Sequence, residues 1–188
     1  MQKGKFIVVS GPSGVGKGTI LKQVINEDKG WLSVSFTTRS PREEEVDGVN
    51  YYFVTVDEFR KKIDSGEILE YNIYNENYYG TSKKMVIDKI NAGVDVFLEI
   101  DVNGAHNIKK MFPDAILIYI APPSIEELRR RLIDRGTESI EKINQRLEIA
   151  ERELKEISFY DYVVVNDDLN VAINEVNSIL EKERSNNE

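Results

Sequence analysis

Short apolar runs alternate along this chain with stretches of helical periodicity. Lys5 to Ser10 is a compact apolar run, followed by a glycine-rich turn and a helix-period stretch from Lys17 to about Asn26. Val94 to Asp101 is a second apolar run, and the short helix-period stretch after it ends near Phe112-Pro113. Ile116 to Ile120 and Tyr162 to Val165 are a third and a fourth, and a terminal helix follows with Leu169, Ile173, Val176 and Leu180 on one face. Strands that alternate with helices predict an α/β domain with a mostly parallel sheet. Runs that are apolar throughout predict strands covered on both faces.

Two regions break this rhythm. Residues 35–82 are rich in Tyr, Glu and Arg, with strand-like pieces at Tyr51–Val54 and Leu69–Tyr74 around a short helix opening at Asp57. Residues 124–157 read as two helices joined at Arg135-Gly136-Thr137, the first opening with the capping-box pattern Ser124-Ile-Glu-Glu127 after Pro122-Pro123. The remaining pieces, 1–34, 83–123 and 158–184, are expected to form one core. Both insertions follow core strands, where ligand sites of α/β sheets lie. Only Glu183 to Glu188 reads as frayed.

Composition narrows the classes. A chain of 188 residues that is 40% hydrophobic and 31% charged has the balance of a globular domain. No apolar run approaches the roughly 20 residues of a membrane span, and the first strand begins too early for a signal peptide, so a cytoplasmic protein is expected. The absence of cysteine excludes disulfides and thiolate metal sites, and the single histidine, His106, argues against a His-based triad or zinc site. A net charge of −8 argues against a general nucleic-acid binder. Any phosphate must be held by a local cluster of cations. Homo-oligomerisation is left open.

Such a cluster begins at Gly11-Pro12-Ser13-Gly14-Val15-Gly16-Lys17-Gly18-Thr19, which follows a strand and opens a helix, the setting a P-loop requires. Glycines let backbone N–H groups turn toward phosphate oxygens, and the helix N-terminus adds positive potential. Lys17 is expected to reach the β- and γ-phosphates of a nucleotide. Gly18 stands where most P-loops carry the Ser or Thr that binds Mg²⁺, and the hydroxyl comes one position later, at Thr19. This Gly-Lys-Gly-Thr variant resembles nucleoside monophosphate kinases. The resemblance implies that Mg²⁺ is held mainly by substrate phosphates and water, with no protein metal ligand, and that Thr19 contacts the α-phosphate.

Ser35-Phe-Thr-Thr-Arg39-Ser-Pro-Arg42, then Gly48-Val-Asn-Tyr51, Glu70, Tyr79-Gly80-Thr81 and Leu98-Glu-Ile-Asp101-Val-Asn-Gly104 follow in order. Together with the P-loop and Asn166-Asp-Asp they resemble the guanylate kinase family over nearly the whole chain. The resemblance implies a P-loop NTPase-type parallel core flanked by helices, a GMP-binding insertion at 35–82 and a helical lid at 124–157. It also implies transfer of the γ-phosphoryl group of ATP to GMP, with Mg²⁺ carried on ATP. Arg39 and Arg42, stiffened by Pro41, are two guanidinium forks suited to one phosphate; without the motif they read as a solvated loop. The resemblance adds Tyr51 and Tyr79 at that phosphate. It also implies Glu70 and Asp101 at the guanine N1–H and N2–H₂ donors, Thr81 at O6, and Ser35 beside the base.

No catalytic base stands out, and none is needed: a phosphate monoester with a second pKa near 6 already carries an ionised oxygen. The task is electrostatic. Arg131 and Arg135 lie four apart on the first helix of the second insertion, beside the stripe Ile125, Leu128, Leu132. On the next helix Arg146 borders the stripe Ile143, Leu147, Ala150, Leu154, whereas Arg130 and Arg152 read as solvated charges. The resemblance places Arg131, Arg135 and Arg146 over the transferring phosphoryl and the ATP, with Arg135 to Thr137 and Asn166 beside the adenine. His106 is given no role. Three rivals are weaker. A P-loop GTPase would need an Asn-Lys-x-Asp motif that is missing, a non-catalytic guanylate kinase-like scaffold would have a degraded P-loop, and Glu70 and Asp101 disfavour other monophosphates.

Overall fold

The structure, a computed structural model, describes residues 3–25, 30–74, 76–136 and 139–185. Asn26, Thr137 and the end of the expected frayed tail lie outside the described residues. The core sheet contains β1 (Phe6–Ser10), β2 (Gly30–Leu32), β7 (Asp95–Glu99), β8 (Ile116–Ala121) and β9 (Tyr162–Val165), in the order β2-β7-β1-β8-β9. All of its pairings are parallel.

Alternation along the two central strands sends side chains to two separate apolar clusters. Ile7 and Val9 of β1 and Ile116, Ile118 and Ile120 of β8 pack beneath α1 (Lys17–Val24) and α7 (Leu169–Ser185). Phe6, Val8, Leu117 and Tyr119 face the other way, toward α3 (Lys83–Asn91) and α4 (Val102–Met111). These are the two covered faces that the runs predict. Each large side chain buried here contributes roughly 1.5–3 kcal/mol. The edge strand β9 departs from the expectation: Val163 and Val165 are exposed.

The terminal helix keeps most of its predicted face: Val176 and Leu180 are buried and Ile173 packs against the same cluster, Ala172 and Ile179 join them, and Leu169 is exposed. Its last turn is not frayed through Ser185, and the Tyr162 hydroxyl donates to Glu183 Oε1 at 2.5 Å.

Residues 36–82 form a second sheet of β3 (Phe36–Thr37), β4 (Tyr52–Phe53), β5 (Ile68–Tyr74) and β6 (Asn77–Ser82), in the order β4-β3-β6-β5. Its helix α2 (Val56–Asp64) opens one residue before the expected Asp57, with a full capping box between Thr55 and Glu58. Phe59 anchors it against the Tyr78 and Tyr71 rings, 5.1 and 6.3 Å away. The second insertion is a hairpin of α5 (Ile125–Asp134) and α6 (Ile140–Glu153), with its own cluster of Leu128, Leu132, Ile143, Leu147 and Ala150. The box predicted at its start forms by half. The Ser124 hydroxyl accepts from Glu127 N–H at 3.1 Å, while the Glu127 carboxylate takes hydrogen bonds from Arg130 and Arg131 instead.

Candidate functional site

A cleft of about 1220 Å³ runs between the P-loop, the helical hairpin and the small sheet. A side pocket of about 280 Å³ opens at the small-sheet end. Ser35, Tyr51, Asn72, Glu99 and Asp101 border both.

At the first end, β1 delivers the chain into the loop and α1 begins at Lys17. Gly16 caps the helix with φ of 100° and no side-chain cap, and a Cβ there would lie 2.6 Å from Asn166 Nδ2. That conformation and that close approach both require glycine. Asn166 is buried and ties the loop to the core by donating from Nδ2 to Val15 O at 2.7 Å. The Lys17 ammonium donates to Gly11 O at 2.7 Å and Pro12 O at 3.2 Å. Burial pushes its pKa below the usual lysine value, Glu99 and Glu153 oppose that shift, and Arg135 adds to it. The loop residues Gly11 to Gly14 and Gly16 to Thr19 line the cleft, while Val15 faces the core.

The hairpin arginines part company. Arg146 reaches the loop, Nη1 donating to Ser13 Oγ at 2.8 Å. Arg135 lines the cleft. Arg131 donates from Nε to Glu127 Oε1 at 2.8 Å and from Nη1 to Asn166 O at 2.9 Å. Arg130 is exposed and paired with Glu127 and Asp134, as expected. Arg152 is not simply a distant solvated charge, for it borders the cleft beside Glu153 and Glu156. His106 lines the cleft as well, its ring stacked on Phe159 at 3.7 Å.

At the far end Arg39 lies over the Tyr51 ring at 5.5 Å and donates from Nη2 to Glu45 at 2.8 Å. Its bond to Glu45 and a weaker one to Tyr79 raise its pKa. Glu45 also accepts from the Arg42 N–H at 2.8 Å, so one carboxylate organises both arginine positions while the Arg42 side chain stays exposed. Tyr51 and Tyr79 meet edge to face at 5.9 Å. Burial raises the Tyr51 pKa.

The pocket owes Glu70 to an irregularity in β5. Ile68 pairs with Ser82 but Tyr71 with Gly80, which sets Leu69 and Glu70 together opposite Thr81. A regular strand would send these neighbours to opposite faces; the bulge lets Leu69 enter the core and Glu70 the pocket, and both are buried. Glu70 Oε1 accepts from the Thr81 hydroxyl at 2.7 Å. Burial pushes its pKa up to about 7, with Thr81 opposing and Asp101 adding. Asp101 caps α4, accepting from Gly104 N–H at 2.8 Å. A Cβ at Gly104 would sit 3.1 Å from Glu70 Oε2, so glycine lets the helix approach the strand.

The structure thus gathers two groups of predicted residues at the two ends of one cleft, while Arg131 is not among the residues that line it. Glu45, Asn72 and Glu99 were missed. Glu45 hides in the run Glu43-Glu44-Glu45, where sequence gives no reason to choose one. Asn72 and Glu99 carried a usable signal, each lying two residues from a predicted pocket carboxylate, in or beside a strand.

The chain is similar to known proteins over nearly its whole length. The sequence model of guanylate kinase matches residues 3–183. A guanylate kinase of Clostridium acetobutylicum is 49% identical over 183 residues, covering 97% of this chain and 88% of that protein. The crystal structure of guanylate kinase from Anaplasma phagocytophilum superposes with a TM-score of 0.77 at 35% identity, covering 97% of this chain and 87% of that one. Matched in sequence from end to end and in fold, the chain belongs to the guanylate kinase family.

Proposed function

We propose that the cleft is where this enzyme, an ATP:GMP phosphotransferase, brings its two substrates into line. The carrying observation is the pairing, in one cleft, of a glycine-built phosphate loop with a pocket lined by the carboxylates of Glu70, Glu99 and Asp101, of which Glu70 is buried. ATP takes the P-loop end, with its phosphates against the backbone of Gly11 to Thr19 and the ammonium of Lys17. Arg135 and Arg146 cover the transferring group, and Asn166 holds the loop in shape from below. GMP takes the other end. Its phosphate meets Arg39, Arg42, Tyr51 and Tyr79 and displaces Glu45 from the Arg39 fork. Ser35, Glu70, Thr81 and Asp101 receive the base. On this reading 35–82 is the GMP-binding part and 124–157 the lid, which closes to exclude water.

The guanine Watson–Crick edge offers N1–H and N2–H₂ side by side, and carboxylates accept from both. Adenine presents an unprotonated N1 there, leaving a buried carboxylate unpaired at about 1–3 kcal/mol or more. Base choice is therefore electrostatic, with little contribution from shape.

A divalent ion would come to this site on the substrate phosphates: Gly18 offers no hydroxyl where most P-loops carry one. Bound there with ATP, Mg²⁺ would neutralise phosphate charge. The protein's share is positioning by Lys17 and the arginines. The test is ADP formation from Mg-ATP: it should require added GMP, with AMP and CMP far poorer acceptors. ADP formation indifferent to the acceptor base would overturn the reading.

A further inference from the structure

Along β5 beyond the bulge, alternation puts Asn72 on the same face as Glu70, while Tyr71 and Ile73 are exposed on the other. Asn72 is thus delivered to the mouth of the pocket, bordering both it and the main cleft. Its amide has a defined orientation. Oδ1 accepts from Ile73 N–H at 2.8 Å, which leaves Nδ2 to donate to Asp101 Oδ2, on the core side of the pocket. Asp101 is then gripped at both oxygens, Oδ1 by the Gly104 N–H of its own helix and Oδ2 by Asn72 of the other sheet.

The helix cap by itself fixes only one of these oxygens. A carboxyl group can swing about that single bond and still cap α4. The second bond removes the swing, and because an oxygen of a carboxylate accepts more than one hydrogen bond, Oδ2 keeps a lone pair for a ligand. Pre-set acceptors lose less entropy on binding. From this we infer that Asn72 is a positioning residue for base recognition: it holds Asp101 in the orientation that reads the guanine edge, and through it sets the KM for GMP. The inference rests on the assignment of the pocket to the base.

Kinetics of Asn72→Ala, Asp101→Asn and the double variant test it. Loss of one hydrogen bond to a charged group should raise the KM for GMP roughly tenfold. The kcat should change by less than threefold and the KM for ATP should stay put. In the Asp101→Asn background the Asn72→Ala change should add little, because the group it positions is already gone. Asn72→Ser, polar but too short to reach Asp101, should reproduce the KM shift and serves if the alanine variant folds poorly. An unchanged KM for GMP, or equal effects of Asn72→Ala with and without Asp101, overturns the role of Asn72. An Asp101→Asn enzyme whose preference for GMP over AMP equals the parent's overturns instead the assignment of Asp101 to the base.

Discussion

The two ends of the cleft are built by opposite means. The P-loop end is made of backbone. Its shape comes from glycines in conformations closed to other residues, from a helix N-terminus without a side-chain cap, and from one lysine folded back on loop carbonyls. The pocket end is made of side chains from separate elements: Glu70 from a bulged strand, Thr81 from its neighbour, Asp101 from a helix cap and Asn72 from the far side of the bulge. Backbone donors suit phosphate, which is the same in every nucleotide. Side-chain acceptors suit the base, where nucleotides differ. The first end should therefore govern rate and the second the choice of acceptor.

The largest effect should come from Lys17. Removing a donor aimed at developing phosphoryl charge costs about 10²-fold or more, so Lys17→Ala should lose at least that in kcat. Circular dichroism and GMP binding should remain those of the parent. If Lys17→Ala turned over at the parental rate, the division of labour between the two ends would collapse.

Glu70→Gln should break the other end. An amide brings an N–H where an acceptor oxygen stood, so one donor must face another. The kcat/KM for GMP should fall by roughly 10–10³-fold. AMP activity, poor at the start, should fall far less, and ATP binding should not change. Competition between GMP and AMP in one reaction measures this directly. A variant with the parental GMP rate and ratio would show that Glu70 does not read the base.

The same division explains what could be read in the sequence. The P-loop is contiguous, so its function is written in one stretch, and β1, β7, β8 and β9 announce themselves as apolar runs, whereas the three-residue edge strand β2 does not. Glu70 has no such signature. Its value arises from an extra residue in the pairing of β5 with β6, and hydrophobic pattern does not encode register irregularities of that kind. The family resemblance located Glu70 where residue chemistry alone would have assigned it to the surface. Arg131 shows the converse. Spacing puts it beside Arg135 on one helix face and also four residues after Glu127, with which it pairs; the bond to the Asn166 carbonyl is what the tertiary fold adds. Glu45 was hidden for a related reason: its partner Arg39 lies across a turn that the sequence does not fix.

The smallest effect concerns stability. Burial raises the Glu70 carboxyl from its ordinary 4.5 to about 7 in the empty protein. Below pH 4.5 it is protonated whether the chain is folded or not, and nothing is lost. Between 4.5 and 7 the folded protein keeps a proton that the unfolded chain has released, so stability falls as pH rises. Above about 7 the penalty is complete, on the order of 3 kcal/mol. Glutamine carries no charge at any of these pH values but still accepts from Thr81. Glu70→Gln should therefore melt several degrees above the parent at pH 8 without ligand, with the gap nearly closed at pH 5, since 1 kcal/mol shifts the Tm of a domain this size by about 2–4 °C. The substitution that damages GMP turnover should thus strengthen the fold. Scanning calorimetry of the parent and the Glu70→Gln variant at the two pH values tests it. Equal melting of the Glu70→Gln variant and its parent at pH 8 would mean that the buried carboxylate is already compensated before any base arrives.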